Sequence, residues 1–336
     1  MSQTVRTAVI GVGHFGQYHA EKLARLPGSR LTAVVDIDGE RAQGVAERHG
    51  VPSFVNFRDA LTQVDAVCIA TPPMTHYEIA RTCLEAGIHV LVEKPITDNL
   101  EHASALIRIA RERGRILQVG HLERFSAAGR VIRDIVTRPL YVEASRIGTF
   151  RPGANNDVNA VLDLMIHDLD LILDFVSSPI EWVHAVGAPV FSSAEDIASS
   201  RIQFANGCVA NVTASRASLR TERRMRVFQD NSYTSIDFLN KKLRIVRRVN
   251  GATMNGIPAL EIEETSYGDV DTLEQEIAAF LHSVRTGKPP LVTGEDGWRA
   301  LEAALMITRS LRSHWQRIGE QTFQPRGAVV GRAAGE

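Results

Sequence analysis

Three cysteines in 336 residues, Cys68, Cys83 and Cys208, are too few and too scattered for a disulfide framework or a thiolate metal centre. Reduced thiols and a cytoplasmic setting are the expectation they leave. Charge of one sign is also missing: 38 basic residues face 39 acidic ones. A near-neutral chain offers no general attraction to nucleic acid or to an anionic membrane surface. No apolar run approaches the roughly 18 residues of a membrane span, and Met1 to Arg6 holds no signal-peptide core. Internal repeats and low-complexity blocks are absent. What is there is ordinary for a globular protein, 44% apolar and 23% charged residues. The length exceeds what one core usually supports, so two domains are expected.

The first fifty residues carry the strongest signal. A short β-branched run, Thr7 to Ile10, leads into Gly11-Val-Gly13-His14-Phe15-Gly16, and Tyr18 to Leu26 reads as the helix that follows. At a strand-to-helix turn these glycines have separate jobs. Gly11 allows the tight turn, Gly13 lets a pyrophosphate approach the backbone, and Gly16 lets helix and strand pack closely. The helix start then offers unpaired N–H groups to phosphate. A second strand, Leu31 to Val35, ends at Asp36, twenty residues after Gly16. A carboxylate there accepts from both ribose hydroxyls and repels a 2′-phosphate, which points to NAD. Arg41, in the first turn of the next helix, is placed to stack on an adenine or simply to face solvent.

Strand and helix then alternate about six times, the pattern of a doubly wound parallel sheet. Expected strands are Pro52–Phe57, Val64–Ala70, His89–Val92 and Ile116–Val119; expected helices include Thr75–Ala86 and Asn99–Arg113. The strand ends deliver Thr71-Pro72-Pro73 with His76, Glu93-Lys94-Pro95 and Gly120-His-Leu-Glu-Arg124-Phe to one sheet edge, where open α/β sheets bind ligands. From Leu140 the texture changes to seven runs read as strands, from Tyr141–Phe150 to Leu243–Val249, around a helix over Val158–Val176. The expected division is a Rossmann domain over 1–122, an α/β domain with a large open, mostly antiparallel sheet over 123–325, and a loose tail over 326–336. Two amphipathic helices within about 270–319 are expected to return to the first domain.

Two further features point to chemistry. Lys94 stands between a carboxylate and a proline at a strand end, beside the expected nicotinamide position. On the helix of the second domain, spacing of four puts Asp163 and His167 about one turn apart on one face. A carboxylate and an imidazole so placed can converge on one hydroxyl, and His takes a proton most readily near neutral pH. Asp170 could orient His167 instead. No second His or Cys lies at ligand spacing around His167, so no metal is expected.

These residues together resemble the Gfo/Idh/MocA oxidoreductases, over nearly the whole length. The resemblance rests on the glycine turn, Thr71-Pro72-Pro73 with His76, Glu93-Lys94-Pro95 and the Asp163-x-x-x-His167 helix. It implies a nicotinamide cofactor and hydride transfer at a secondary hydroxyl. Lys94 and His167 would hold and deprotonate that hydroxyl, and Asp163 would position the substrate. Thr71, Pro72, His76 and Glu93 would line the nicotinamide and its ribose. Where members commonly carry glycines before the helix aspartate, this chain has Val158-Asn159-Ala160. Within the family the chain is most similar to UDP-N-acetylglucosamine 3-dehydrogenases, which prepare lipid A precursors for an aminotransferase. Arg124, Arg146 and Arg151 flank the expected cleft, where guanidinium forks suit a diphosphate. A homodimer or homotetramer through the second sheet is implied. The alternatives are a dehydrogenase of a free cyclitol or monosaccharide, and a non-catalytic dinucleotide-binding regulator.

Overall fold

The structure, a computed structural model, describes residues 4–151, 158–254, 257–268 and 270–318. The first sheet is parallel and is made of β1 (Val5–Ile10), β2 (Ser29–Val35), β3 (Ser53–Phe54), β4 (Ala66–Ile69), β5 (His89–Glu93) and β6 (Leu117–Gly120). They lie in the order β3-β2-β1-β4-β5-β6, so the winding reverses between β1 and β4. The connecting helices are α1 (His14–Arg25), α2 (Gly39–His49), α3 (Pro73–Glu85) and α4 (Leu100–Arg113). Both faces of the sheet are covered, which is why its strands are apolar throughout rather than alternating. In β1, Ala8 and Ile10 point into the core shared with α3 and α4, while Val5 and Val9 point to the one shared with α1. The expected third strand over Pro52–Phe57 contracts to two residues, because Asn56 caps a 3-10 turn over Phe57–Gln63.

After β6 a 3-10 turn, Leu122–Phe125, and α5 (Ala127–Ile135) lead into the second unit. Its strands are β7 (Pro139–Ile147), β8 (Ile180–Ala188), β9 (Ile197–Phe204), β10 (Val209–Ser215), β11 (Glu222–Gln229), β12 (Ser232–Asp237), β13 (Lys242–Met254) and β14 (Ile257–Ser266). They form one sheet in the order β14-β13-β12-β11-β7-β10-β9-β8, antiparallel except where β7 runs parallel to β10. The expected long helix instead opens on a π-helical turn, Val161–Met165, and continues as α6 (Ile166–Phe175). α6 packs through Leu169, Ile172 and Leu173 on the inner face of this sheet. The expected loose tail over 326–336 lies outside the described residues.

The two last helices differ in where they go. α7 (Thr272–Thr286) buries Ile277, Phe280 and Leu281 in the first unit beside α1. α8 (Gly294–Ile318) sends Leu301 into the first core, but Ala300, Ala303, Ala304, Ile307 and Leu311 into the second. It is a shared wall.

One buried cation joins these parts. Arg124, 2% exposed, donates through Nε and Nη2 to both oxygens of Asp170 at 2.8 and 2.9 Å, and pairs through Nη1 with Asp174. Its Nη2 lies 3.7 Å from Asp296 of α8. The Arg124 fork is therefore spent inside the protein, and the expectation that it binds substrate is corrected. Removing one partner of such a pair leaves an uncompensated buried charge. Arg124→Leu is expected to lower the unfolding free energy in urea by about 3–5 kcal/mol. A loss below about 1 kcal/mol would show that Asp170 is neutralised by something else.

Candidate active site

The glycine turn is built as its residue types require. Gly11 has φ +85°, and a Cβ on it would stand 2.6 Å from Thr71 Cγ2. A Cβ on Gly16 would stand 1.7 Å from the Gly11 carbonyl oxygen, so α1 rests directly on the turn. Gly13 faces open space, with no heavy atom within 4 Å of a Cβ there, and as the residue before α1 it adds no side-chain cap. The first N–H groups of α1 are thus unspent, with His14 and Phe15 exposed beside them. Asp36 braces the loop: one oxygen accepts from the Val12 N–H at 2.9 Å and the other from the Asp38 N–H at 3.0 Å. Arg41 is drawn to this carboxylate at 3.2 Å and to Asp38 at 2.8 Å, which leaves its guanidinium half exposed at the rim. An open cradle, unspent donors and a carboxylate at the end of β2 fit an adenine dinucleotide with a free 2′-hydroxyl.

The ends of β4 and β5 complete this edge. Thr75 donates to the Thr71 hydroxyl and lies 2.7 Å from the Pro72 carbonyl oxygen, which keeps the loop closed on itself. His76, expected at the nicotinamide, is 1% exposed and has its two ring nitrogens 2.8 Å from the Thr71 carbonyl and 2.9 Å from the Pro95 carbonyl. Burial lowers its pKa, and a neutral ring donates to one carbonyl at a time. The ring ties the β4 loop to the β5 loop and presents no free nitrogen to a ligand. Glu93 likewise turns inward, its Oε1 2.8 Å from His19 Nε2 and its Oε2 accepting from the Lys94 N–H at 3.3 Å. Burial alone would raise the Glu93 pKa, but the His19 hydrogen bond and nearby cations hold it below the ordinary value. His19, on α1, carries no motif signature and the sequence reading missed it.

Lys94 meets the helix of the second unit at its π turn, a widening that recurs at functional sites. Its Nζ donates to the Asp163 carbonyl oxygen at 2.7 Å and lies 3.7 Å from the Asp163 carboxylate. Arg216, at the end of β10, lies 3.9 Å from the other Asp163 oxygen and donates to the Val158 carbonyl. Asn159 caps the π turn, accepting from the Leu162 N–H at 3.0 Å. His167 follows on α6. Burial pushes its pKa well below 6.5, and the charges of Lys94 and Arg146 push it further the same way. Its Nδ1 is buried without a hydrogen-bond partner. Lys94 is lowered from its ordinary value by burial, against the pull of Asp163 and Glu93. A neutral imidazole and an ammonium thus stand together at the strand ends beside the cradle, able to accept a proton and to hold an oxygen that becomes negative.

Two more expectations are corrected here. Asp170 does not orient His167, because Arg124 takes both its oxygens. Arg146 does not face a cleft: it donates to both oxygens of Asp168 and to Glu123, each at 2.9 Å. Those carboxylates raise its pKa in spite of burial. Arg151 is exposed and is the last described residue before 158.

Comparison with known proteins agrees with this geometry. Residues 5–121 match the family described as "Oxidoreductase family, NAD-binding Rossmann fold", and residues 141–232 match the "GFO/IDH/MocA C-terminal domain". The chain is 40% identical, over 93% of its length and 99% of the relative's, to UDP-N-acetylglucosamine 3-dehydrogenase of Acidithiobacillus ferrooxidans. A solved structure of that enzyme superposes with a TM-score of 0.87 at 39% identity, covering 92% of this chain and 98% of the other. At 29% identity the chain also resembles scyllo-inositol 2-dehydrogenase (NAD(+)) of Bacillus subtilis, over 93% of this chain and 96% of the relative. With cradle, lysine and imidazole at one sheet edge and both halves of the chain matched, the protein belongs to the Gfo/Idh/MocA family of NAD-binding oxidoreductases.

Proposed function

We propose that the protein oxidises the C3 hydroxyl of UDP-N-acetylglucosamine to a ketone with NAD. The observation that carries this reading is Lys94, at the end of β5, bonded to Asp163 with His167 one helical turn further on, in a chain 40% identical to a UDP-N-acetylglucosamine 3-dehydrogenase. Gly11, Gly13, Gly16 and the start of α1 would hold the pyrophosphate of NAD, and Asp36 the adenosine ribose. Bound there, NAD supplies the hydride acceptor.

The chain's own residues manage the hydroxyl. His167 is in its basic form at neutral pH and takes the proton as the carbonyl forms. Lys94 donates to the oxygen while negative charge develops on it, in a partly buried setting where such a donor is worth more than in water. Asp163 fixes Lys94 through its carbonyl, and its carboxylate, between Lys94 and Arg216, is placed to accept from the sugar. One C–H and one O–H bond break, one C=O bond forms, and the proton ends on His167. The 3-keto product would then suit an aminotransferase making a lipid A or surface-polysaccharide precursor in the cytoplasm. A homodimer or homotetramer through the second sheet accords with the same reading.

NADH formation from NAD and UDP-N-acetylglucosamine, with a carbonyl trap, is the direct test. Turnover that needs both the UDP and the N-acetyl group is expected; silence there with turnover of scyllo-inositol would move the protein to the cyclitol class. Lys94→Ala and His167→Ala are each expected to lower kcat by roughly 10²–10⁴-fold while the NAD dissociation constant, measured by calorimetry, barely changes. Unaltered turnover in either variant removes that residue from the mechanism. In the pH profile of kcat/KM, the acid limb should fall below pH 6.5, since activity is lost only as pH drops through the lowered His167 pKa. The basic limb should come before pH 10.5, as the lowered Lys94 ammonium deprotonates. An acid limb at or above pH 6.5 would contradict the neutral imidazole.

A further inference from the structure

The diphosphate of the proposed substrate needs cations, and the fold withdraws two of the three that the sequence suggested. Another arginine stands in the right place. β11 pairs antiparallel with β7, and Arg223 lies directly opposite Arg146. Directly opposed residues project from the same face of a sheet. That face is the inner one: Arg146 reaches from it to Asp168 on α6, and Met225 and Val227, next on the same side of β11, are fully buried. Arg223 therefore stands on the α6 side of the sheet, yet it is exposed. Its outward-facing neighbours are engaged elsewhere, Glu222 with Ser145 and Arg226 with Glu143.

Arg223 faces two further guanidiniums, Arg146 and Arg151, and the carboxylates that act on it, Glu123 and Asp168, are the ones that Arg146 already holds. Arg146 is neutralised by Asp168 and Glu123, but among the described residues no carboxylate lies within ion-pair distance of Arg223. Like charges directly opposite one another destabilise a strand pair. Loss of hydration on the inner face lowers the Arg223 pKa, and Arg146 and Arg151 lower it further, against the pull of Glu123 and Asp168. Arg223 is also among the cations whose charge disfavours the His167 imidazolium.

We propose that Arg223, with Arg151, forms the anion subsite that takes the diphosphate of the substrate on the α6 side of the large sheet. This rests on the nucleotide-sugar reading and deepens it. A guanidinium fork meets two phosphoryl oxygens at once, which an ammonium does not. A neutral cyclitol or free sugar has nothing to offer this position. The subsite is thus a specificity device, outside the proton-transfer groups.

The test uses the full chain with NAD. Arg223→Gln is expected to raise KM for UDP-N-acetylglucosamine at least tenfold, about 1.4 kcal/mol, and to weaken binding of UDP in calorimetry by a similar factor. Arg223→Lys should recover only part of the loss, since it restores charge without the fork. NAD affinity and the melting temperature of both variants serve as the check on folding. Wild-type turnover with a KM for Arg223→Gln within about twofold of it would overturn the subsite and leave the substrate reading standing. Arg223-dependent binding of UDP or inorganic pyrophosphate, without turnover of the sugar nucleotide, would support the subsite and sink the substrate. Failure of the wild type to bind UDP or pyrophosphate would overturn the subsite.

Discussion

The position of the helix that carries His167 depends on how its buried carboxylates are neutralised. Asp168 and Asp170 of α6 are almost fully enclosed, and each would cost several kcal/mol to bury alone. The two forks that meet them come from different places. Arg146 belongs to β7 of the second sheet, and Arg124 to the 3-10 turn leaving β6 of the first. A fork on a carboxylate is satisfied in one register, whereas apolar contact tolerates several. The helix is charge-neutral only where both arginines reach it, and that place lies between the two sheets.

His167 directly precedes these two pinned aspartates in the chain. Asp168 beside it and Asp170 three residues on are each fixed by a pair of bonds at 2.8–2.9 Å, so the turn that carries the imidazole has little freedom to shift. At the other end of the site, Lys94 is fixed by the Asp163 carbonyl, while His76 and Glu93 hold the strand ends from inside. The groups that do chemistry are few and the groups that aim them are many. Several residues expected to touch the ligand prove to be of the second kind, and the distinction lies in burial.

That distinction also marks the limit of what was legible in the chain. The glycine turn, Asp36 and the Lys94 strand end could be read because their requirements are local: a turn, a close approach, a strand that stops. The alternation of strands and helices was legible for the same reason, since apolar periodicity is a property of neighbours. The roles of Arg124 and Arg146 were not, because their carboxylates lie 46 and 22 residues away and charge alone does not tell a buried fork from an exposed one. The π turn left no periodic signature. β14 was missed because it carries Pro258 and an acidic run, and its Leu260 and Ile262 are exposed rather than turned to a core. Arg223 was hidden among Arg223-Arg224-Met225-Arg226, where only the pairing with Arg146 tells the inward arginine from the outward ones.

The field around His167 then has a consequence for the order of events. Lys94, Arg146 and Arg223 each disfavour the imidazolium, so the free site keeps its base unprotonated but weak. Arg146 is already paired, and in the proposed reaction Lys94 serves the oxygen; Arg223, among the described residues, has no carboxylate within ion-pair distance. An anion placed against it cancels part of the repulsion on His167 and raises its basicity when the sugar is in place. A substrate without that anion would meet the weaker base. Discrimination between a nucleotide sugar and a neutral polyol would then lie partly in the proton acceptor itself, through the same arginine that we propose for the diphosphate.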